Sequence, residues 1–281
     1  MRRDRLKVAT CQFPVSGDVR RNAGYIHRLI KKAASRKADV VHFCEAALTG
    51  YAGVNFSSFR NYDWDALGAR TTELMKLARE CGIWVVVGSA HYIHHDIKPT
   101  NCLYVISSSG RLVTRYDKRS VTEHDEKHYS RGTRDVSVTI NGVKCGLLIC
   151  ADTGNINLFR HYQSEGATLV LASFHNASAK KKDIYDEYVP ARIRTRAYDY
   201  RMWVAANNSA TRYSYWPTCI ASPDGILVES LYRHETGMCI CNIQKRKPET
   251  APRKKNRHDK QADKHPRFID LKALPFRKGV M

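Results

Sequence analysis

Three reactive side chains each follow a strongly apolar run of this sequence. Glu45 follows "DVVHFC", Lys118 follows "RLVTRYD" and Cys150 follows "KCGLLI". A carboxylate near a thiol takes its proton as a general base. An ammonium near the same thiol favours the thiolate, and it stabilises the oxyanion that forms when sulfur attacks a carbonyl carbon. These residue types predict catalysis through a thioester, provided that folding brings them together.

The elements that would position these residues alternate along the chain. Helical spacing predicts helices within residues 23–38, 65–82, 158–164 and 183–201, with Gly82 as a C-cap. Apolar runs predict strands between them, including one from 39 that ends at Glu45 and hairpins over 101–118 and 136–150. This alternation is typical of layered α/β proteins, whose sites collect at the carboxyl ends of strands.

Motifs around the three residues resemble one enzyme family, the nitrilase superfamily of carbon–nitrogen hydrolases. The segment "ADVVHFCEAALTGY" resembles its glutamate motif, "YDKRS" its lysine motif and "VKCGLLICADTGN" its cysteine motif. Further segments, "VATCQFPVSGDVRRN", "ARIRTRAYDYRMWVAANNSA" and "SPDGILVES", follow in the family's order. The resemblance covers about residues 6 to 243.

The resemblance implies a fold and an assembly. The expected fold is α/β, a four-layer α-β-β-α sandwich with two mixed β-sheets, formed by residues 1–244. Residues 245–281 are expected to be a basic C-terminal tail or arm. Such relatives need no metal or organic cofactor. They assemble as dimers or larger homo-oligomers, across the helix after the cysteine and the helix near 183–200.

The resemblance also implies a role for each matching residue. Glu45 is expected to be the general base, Lys118 the oxyanion stabiliser and Cys150 the nucleophile. Glu126, in "EKHYSRG", is expected to be a supporting carboxylate near Lys118 and Cys150. Apart from the resemblance, the chemistry itself suggests that the backbone N–H of Ala151, just after the nucleophile, is the second oxyanion donor.

Four further residues are candidates for substrate binding. Tyr51 and Asn155 lie in the glutamate and cysteine motifs, and His175 and Asn176 follow the predicted strand "ATLVLASF". For His175 and Asn176, substrate contact and hydrogen bonding within the loop are both open. Asp152 is expected to fix the turn after the nucleophile.

The segment after Cys150 departs from the family pattern. Many relatives read Cys-x-Asp-x-Arg-Phe/Trp-Pro-Glu, whereas this chain reads "CADTGNIN". Because that segment helps to shape the substrate pocket, the resemblance names no substrate. The prediction is hydrolysis of a non-peptide C–N bond in a small linear amide or N-carbamoyl compound. Relatives that attack nitriles typically carry Cys-Trp-Glu, whereas this chain has "CAD", so an amide or carbamoyl substrate is preferred to a nitrile.

Alternatives at the same residues remain open, namely nitrile hydrolysis and acyl transfer to an amine. A Cys–His pair with His124 or His128 is a weaker alternative, because neither histidine ends a predicted strand. The formal net charge of +20 also allows a polyanion- or nucleic-acid-binding protein on an inactive hydrolase scaffold. Nucleic-acid binding is disfavoured, since a binding protein does not need Glu45, Lys118 and Cys150 together.

The nine cysteines show no disulfide framework and no metal-ligand spacing. We therefore expect reduced thiols, no structural zinc site and a cytoplasmic protein. No apolar run approaches the roughly 20 residues of a membrane span, and the first residues do not resemble a secretory leader.

Overall fold

The computed structural model describes residues 5–177 and 184–244. The predicted tail, 245–281, and the lysines at 180–182 lie outside the described residues. The helices are α1 (Val19–Ser35), α2 (Trp64–Cys81), α3 (Glu123–Glu126), α4 (Ile156–Ser164) and α5 (Tyr185–Tyr200), with a 3₁₀ helix at Cys150–Gly154. The strands are β1 (Arg5–Gln12), β2 (Val40–His42), β3 (Trp84–His91), β4 (Thr100–Ile106), β5 (Leu112–Asp117), β6 (Ser137–Ile140), β7 (Val143–Ile149), β8 (Leu169–Ser173), β9 (Trp203–Asn207), β10 (Cys219–Ala221), β11 (Leu227–Ser230) and β12 (Gly237–Gln244).

The strands form two six-stranded sheets. The first has the order β12-β1-β2-β3-β4-β5 and the second β11-β10-β9-β8-β7-β6. In the first sheet, β1, β2 and β3 are parallel and their outer neighbours are antiparallel. In the second sheet, β7, β8 and β9 are parallel, again with antiparallel outer strands. Both sheets are therefore mixed, as predicted.

The apolar strands bury both of their faces. In β1, Leu6 and Val8 pack into a core shared by the two sheets, whereas Ala9 and Cys11 pack under α1 and α2. Successive side chains of a strand point to opposite faces, so a strand covered on both sides reads as a continuous apolar run.

Helices cover the outer face of each sheet. Helix α1, which Asp18 caps, buries Ile26 and Ile30 against the first sheet. Helices α4 and α5 bury residues such as Phe159 and Ile193 against the second sheet. The expected four-layer α-β-β-α sandwich is confirmed.

Two predicted element boundaries need correction. Strand β2 ends at His42, three residues before Glu45, because the chain enters a turn over residues 45–49 in which Ala46 has a positive φ of 54°. Helix α4 begins at Ile156 and not at Leu158, because the Asn155 side chain accepts a hydrogen bond from Asn157 N and caps the helix there. The predicted C-cap, Gly82, is left-handed with φ 61°.

Candidate active site

The topology brings Glu45 and Lys118 to the same edge of the first sheet. Strands β3 and β5 are both antiparallel to β4, so β5 runs in the direction of β2 and β3. Lys118 directly follows β5, and its Nζ lies 2.7 Å from Glu45 Oε1. Both side chains are only 1% exposed. Residues 73 positions apart thus form a buried ion pair.

A second carboxylate contacts Lys118, and it is not the expected one. Asp125 Oδ2 lies 2.9 Å from Lys118 Nζ, and the Asp125 side chain is fully buried. Glu126 is 59% exposed, and its carboxylate pairs with Arg131. The expectation that Glu126 lies near Lys118 is therefore wrong, because α3 turns Asp125 inward and Glu126 outward.

The inward position of Asp125 follows from how α3 begins. Asp125 Oδ2 accepts hydrogen bonds from Thr122 N and Thr122 Oγ1, at 2.8 and 2.9 Å. Thr122 Oγ1 in turn accepts from Asp125 N, which completes a capping box. Tyr51 OH donates to the other oxygen of Asp125. The carboxylate that holds Lys118 is thus held by three donors of its own.

Glu45 is fixed by two further donors. Asn101 Nδ2 donates to Glu45 Oε1 at 2.7 Å, and the backbone N–H of His175 donates to Glu45 Oε2 at 2.9 Å. Since His175 follows β8 of the second sheet, this carboxylate joins the two sheets.

Cys150 lies at a strained turn directly after β7. Its φ is +47°, a left-handed conformation that residues other than glycine rarely adopt. Asp152, fully buried, accepts hydrogen bonds from Ile149 N, Tyr116 OH and Ser120 N. Because Tyr116 and Ser120 flank Lys118 in the chain, Asp152 ties the cysteine turn to the lysine segment. This agrees with the expected turn-fixing role of Asp152.

The substrate-binding candidates occupy different positions around these groups. Asn176 Nδ2 lies 3.5 Å from Cys150 Sγ, while Asn176 Oδ1 accepts from Trp216 Nε1 at 3.0 Å. His175 stacks on Tyr51 with ring centroids 5.1 Å apart. Asn155 uses its side-chain oxygen to cap α4. Tyr51, His175 and Asn176 are thus close to the buried ion pair or the thiol, whereas Asn155 has a structural contact.

Burial and charge shift the pKa values of these groups. Burial, together with the charge of Glu45, raises the pKa of the Cys150 thiol to about 12, although Lys118 lowers it. Burial raises the pKa of Glu45 above its ordinary value, against the opposing effect of Lys118. Burial alone would lower the pKa of Lys118, but Glu45, Cys150 and Asp125 raise it well above its usual range. These shifts favour the protonated thiol at Cys150 and the ammonium at Lys118.

Burial also lowers the pKa of His175 to about 4, so this imidazole is neutral at pH 7. Its Nε2 is buried and has no hydrogen-bond partner among the described residues.

Sequence reasoning missed Asp125, Asn101 and Gly88. Asp125 could have been recognised in the sequence, since Thr122-x-x-Asp125 has the spacing of a helix capping box. Asn101 is a polar residue in the apolar strand "TNCLYVI", which is a weaker signal. No sequence signal pointed to Gly88. It matters because a Cβ there would lie 2.0 Å from Cys44 O and 2.6 Å from Ala46 N, next to Glu45.

One group of three possible metal ligands occurs among residues 5–177 and 184–244. It consists of His94, His95 and Asp96, all exposed after β3. Over the same residues, every helix is too short or too polar to cross a bilayer.

Comparisons with known proteins agree with this architecture. The family described as Carbon-nitrogen hydrolase matches residues 7–252. "Hydrolase in agr operon" of Staphylococcus lugdunensis is 25% identical over 216 residues, which cover 73% of this chain and 88% of that protein. Deaminated glutathione amidase of Mus musculus is 24% identical over 84% of this chain and 77% of its own length.

A solved structure shows the same fold. It is a mutant amidase from Nesterenkonia sp. AN1 that carries the acetamide moiety of fluoroacetamide on its active-site cysteine. The TM-score is 0.75 at 18% identity, with 85% of this chain and 91% of that chain covered. The prediction of an enzyme of this class is confirmed: the chain belongs to the carbon-nitrogen hydrolase family.

Proposed function

We propose that this protein hydrolyses a non-peptide C–N bond in a small linear amide or N-carbamoyl compound through a thioester on Cys150. The observation that carries the proposal is the buried Glu45–Lys118 ion pair, whose charges act on the Cys150 thiol. An ion pair with a purely structural role would not require a cysteine with a strained backbone next to it.

The first half of the reaction forms the thioester. A thiol with a pKa of about 12 is almost wholly protonated at neutral pH, so it needs a base at the moment of attack. Glu45 takes the proton from Cys150 as sulfur bonds to the carbonyl carbon. The negative charge that develops on the carbonyl oxygen is stabilised by Lys118 and by the N–H of Ala151. The first N–H groups of a helix lack intrahelical partners, and Ala151 is the second residue of the 3₁₀ helix.

The thioester is complete when the nitrogen leaves, and hydrolysis then regenerates the thiol. Protonated Glu45 gives its proton to the departing nitrogen as the C–N bond breaks, which releases ammonia or an amine. Glu45 then takes a proton from water while the water oxygen attacks the thioester carbon. The C–S bond breaks and the sulfur regains a proton from Glu45. An amide then releases a carboxylic acid, and an N-carbamoyl compound releases a carbamic acid, which loses carbon dioxide. Burial raises the pKa of Glu45 above its ordinary value, which favours the protonated state that donates to the departing nitrogen.

Asn176 and His175 are proposed to contact the substrate. The Asn176 amide lies against the thiol, and Trp216 fixes its orientation. The neutral His175 ring stacks on Tyr51, and its buried Nε2 has no hydrogen-bond partner within residues 5–177 and 184–244. An amide or carbamoyl N–H and C=O are the groups that such side chains bind.

We infer that the protein works as a homo-oligomer in the cytoplasm. Apolar side chains are exposed on α5 and next to β11, with Tyr188 47%, Tyr198 50% and Ile226 59% exposed. A second copy would cover such a surface. All nine cysteines are free, which suits a reducing compartment. Light scattering of the wild type and of Tyr198→Asp tests the assembly; a monomeric wild type contradicts it.

The test is ammonia release from a panel of amides, N-carbamoyl amino acids and nitriles, with and without added amines. We expect turnover of an amide or carbamoyl compound by the wild type and none by Cys150→Ala. Cys81→Ala, which removes another half-buried thiol, is expected to keep full activity. Mass spectrometry of the wild type quenched during turnover should find the acyl group on Cys150. Turnover that survives in Cys150→Ala would exclude the mechanism. Turnover of the nitriles, or N-acylated products when amines are added, would favour the alternatives.

A further inference from the structure

A separate cavity lies beside the turn that follows β3. It has a volume of about 320 Å³ and lies between residues 58–64, residues 92–99 and the end of α3. Sites for small ligands usually measure about 300–1,000 Å³. Glu45, Lys118 and Cys150 do not line it.

One wall of the cavity is aromatic. Trp64 stacks on Phe59 with centroids 5.2 Å apart and planes at 17°. Tyr92 lies against Trp64 at 5.1 Å and 42°, and its side chain is 44% exposed. Partly exposed rings of this kind provide a platform on which a planar aromatic ligand stacks.

The lining of the cavity is also cationic. Arg60, Lys98 and Lys127 line the cavity, and Asp96 is the one carboxylate among the described lining residues. Lys98 Nζ donates to the backbone oxygen of Glu126 at 2.6 Å, which holds this lysine against α3 without neutralising its charge.

These cations produce a positive potential that affects the pKa of a neighbouring histidine. His128 also lines the cavity. Burial lowers its pKa, and repulsion from His124, Lys127 and Lys98 lowers it further. Bound negative charge would relieve this repulsion.

We propose that this cavity binds a planar aromatic ring that carries a phosphate, at about the size of a mononucleotide. The ring packs on Tyr92 and Trp64, and the phosphate lies between Arg60 and Lys127. A phosphate is preferred to a carboxylate because its two negative charges match several cations. The proposal stands independently of the hydrolase mechanism.

Calorimetric titration with adenosine 5′-monophosphate tests the site. We expect saturable 1:1 binding, with adenosine and inorganic phosphate each at least about tenfold weaker, since each supplies half of the contacts. Tyr92→Ala and Lys127→Ala should each weaken binding by about tenfold. Matched controls are Tyr232→Ala, which is 78% exposed in another region, and Lys76→Ala on α2. Both should bind as the wild type does. The imidazole resonances of His128 should titrate at higher pH when the ligand is bound.

Three results would overturn the proposal. The first is an absence of saturation at millimolar nucleotide. The second is inorganic phosphate binding as tightly as the nucleotide, which indicates a simple anion site. The third is equal loss of affinity in Lys76→Ala and Lys127→Ala, which indicates non-specific charge attraction.

Discussion

Asp125 and Lys118 form a buried contact of 2.9 Å, while the neighbouring Glu126 pairs with Arg131 at the surface. Lys118 thus lies between two carboxylates, because Glu45 contacts the same ammonium at 2.7 Å. Two negative groups hold the ammonium in one orientation, and the same charges keep it protonated where the oxyanion is expected to form.

The adjacent carboxylates allow a matched comparison. Asp125→Asn removes one negative partner of Lys118 and should lower kcat/KM by about 10²-fold or more. Glu126→Gln, which changes an exposed carboxylate in the next position, should stay within about twofold of the wild type. Steady-state kinetics on the amide found in the panel decide the question. Equal losses in the two variants would show that Asp125 does not position Lys118.

Asn101 should set the acid limb of the pH profile. The proposed base Glu45 must be ionised, so kcat/KM falls as the pH drops through its raised pKa. Asn101 Nδ2 donates to the ionised carboxylate at 2.7 Å. Asn101→Ala removes a hydrogen bond that favours the charged form, so the acid limb should move to higher pH by about one unit. 

The control for this shift is Asn207→Ala. Asn207 is also fully buried, but its amide donates to His42 O. The acid limb of the pH profile of Asn207→Ala should coincide with that of the wild type. If the acid limb shifts equally in Asn101→Ala and Asn207→Ala, the limb does not report the ionisation of Glu45.

The positions of Lys118 and Cys150 at strand ends could be predicted from the sequence, because each directly follows an apolar strand whose end is easily recognised. Glu45 was harder to place, since it lies three positions after the end of β2, in a turn whose next residue, Ala46, is left-handed. The choice between Asp125 and Glu126 depends on a rotation of about 100° per residue in one short helix. The family spacing pointed to Glu126, whereas the capping bond of Thr122 turns Asp125 inward. Close approaches such as that at Gly88 arise only from packing between strands, which periodicity does not reveal.

Lys118→Met should destabilise the protein in a pH-dependent way. The substitution leaves Glu45 and Asp125 buried without their cation, at a cost of about 3–5 kcal/mol near neutral pH. In the wild type, burial raises the pKa of Asp125, but Lys118 and hydrogen bonds lower it below its ordinary value. Without Lys118, both carboxyl groups are expected to have raised pKa values.

The direction of the pH dependence follows from these pKa shifts. A carboxyl group with a lowered folded-state pKa stabilises the wild type above its unfolded pKa, and this stability is lost as the pH falls. Groups with raised pKa values destabilise the variant as the pH rises. The deficit in unfolding free energy should therefore be larger at pH 7.5 than at pH 4.5, by urea denaturation. A deficit that is constant with pH would show that Lys118 contributes packing and not charge.

Gly88 should be essential for the position of Glu45. A Cβ at Gly88 would lie 2.0 Å from Cys44 O and 2.6 Å from Ala46 N, and backbone atoms at that distance must move. Gly88→Ala should therefore displace the turn, lower kcat by at least about tenfold and destabilise the fold by about 1–3 kcal/mol.

Gly68→Ala is the matched control, because no atom lies within 4 Å of a Cβ there and Gly68 lies inside α2. It should raise stability by about 0.5–1 kcal/mol with unchanged kcat, because alanine is a better helix former. Thermal unfolding and turnover of both variants provide the measurement, and a fully active Gly88→Ala enzyme would show that the turn carrying Glu45 tolerates displacement.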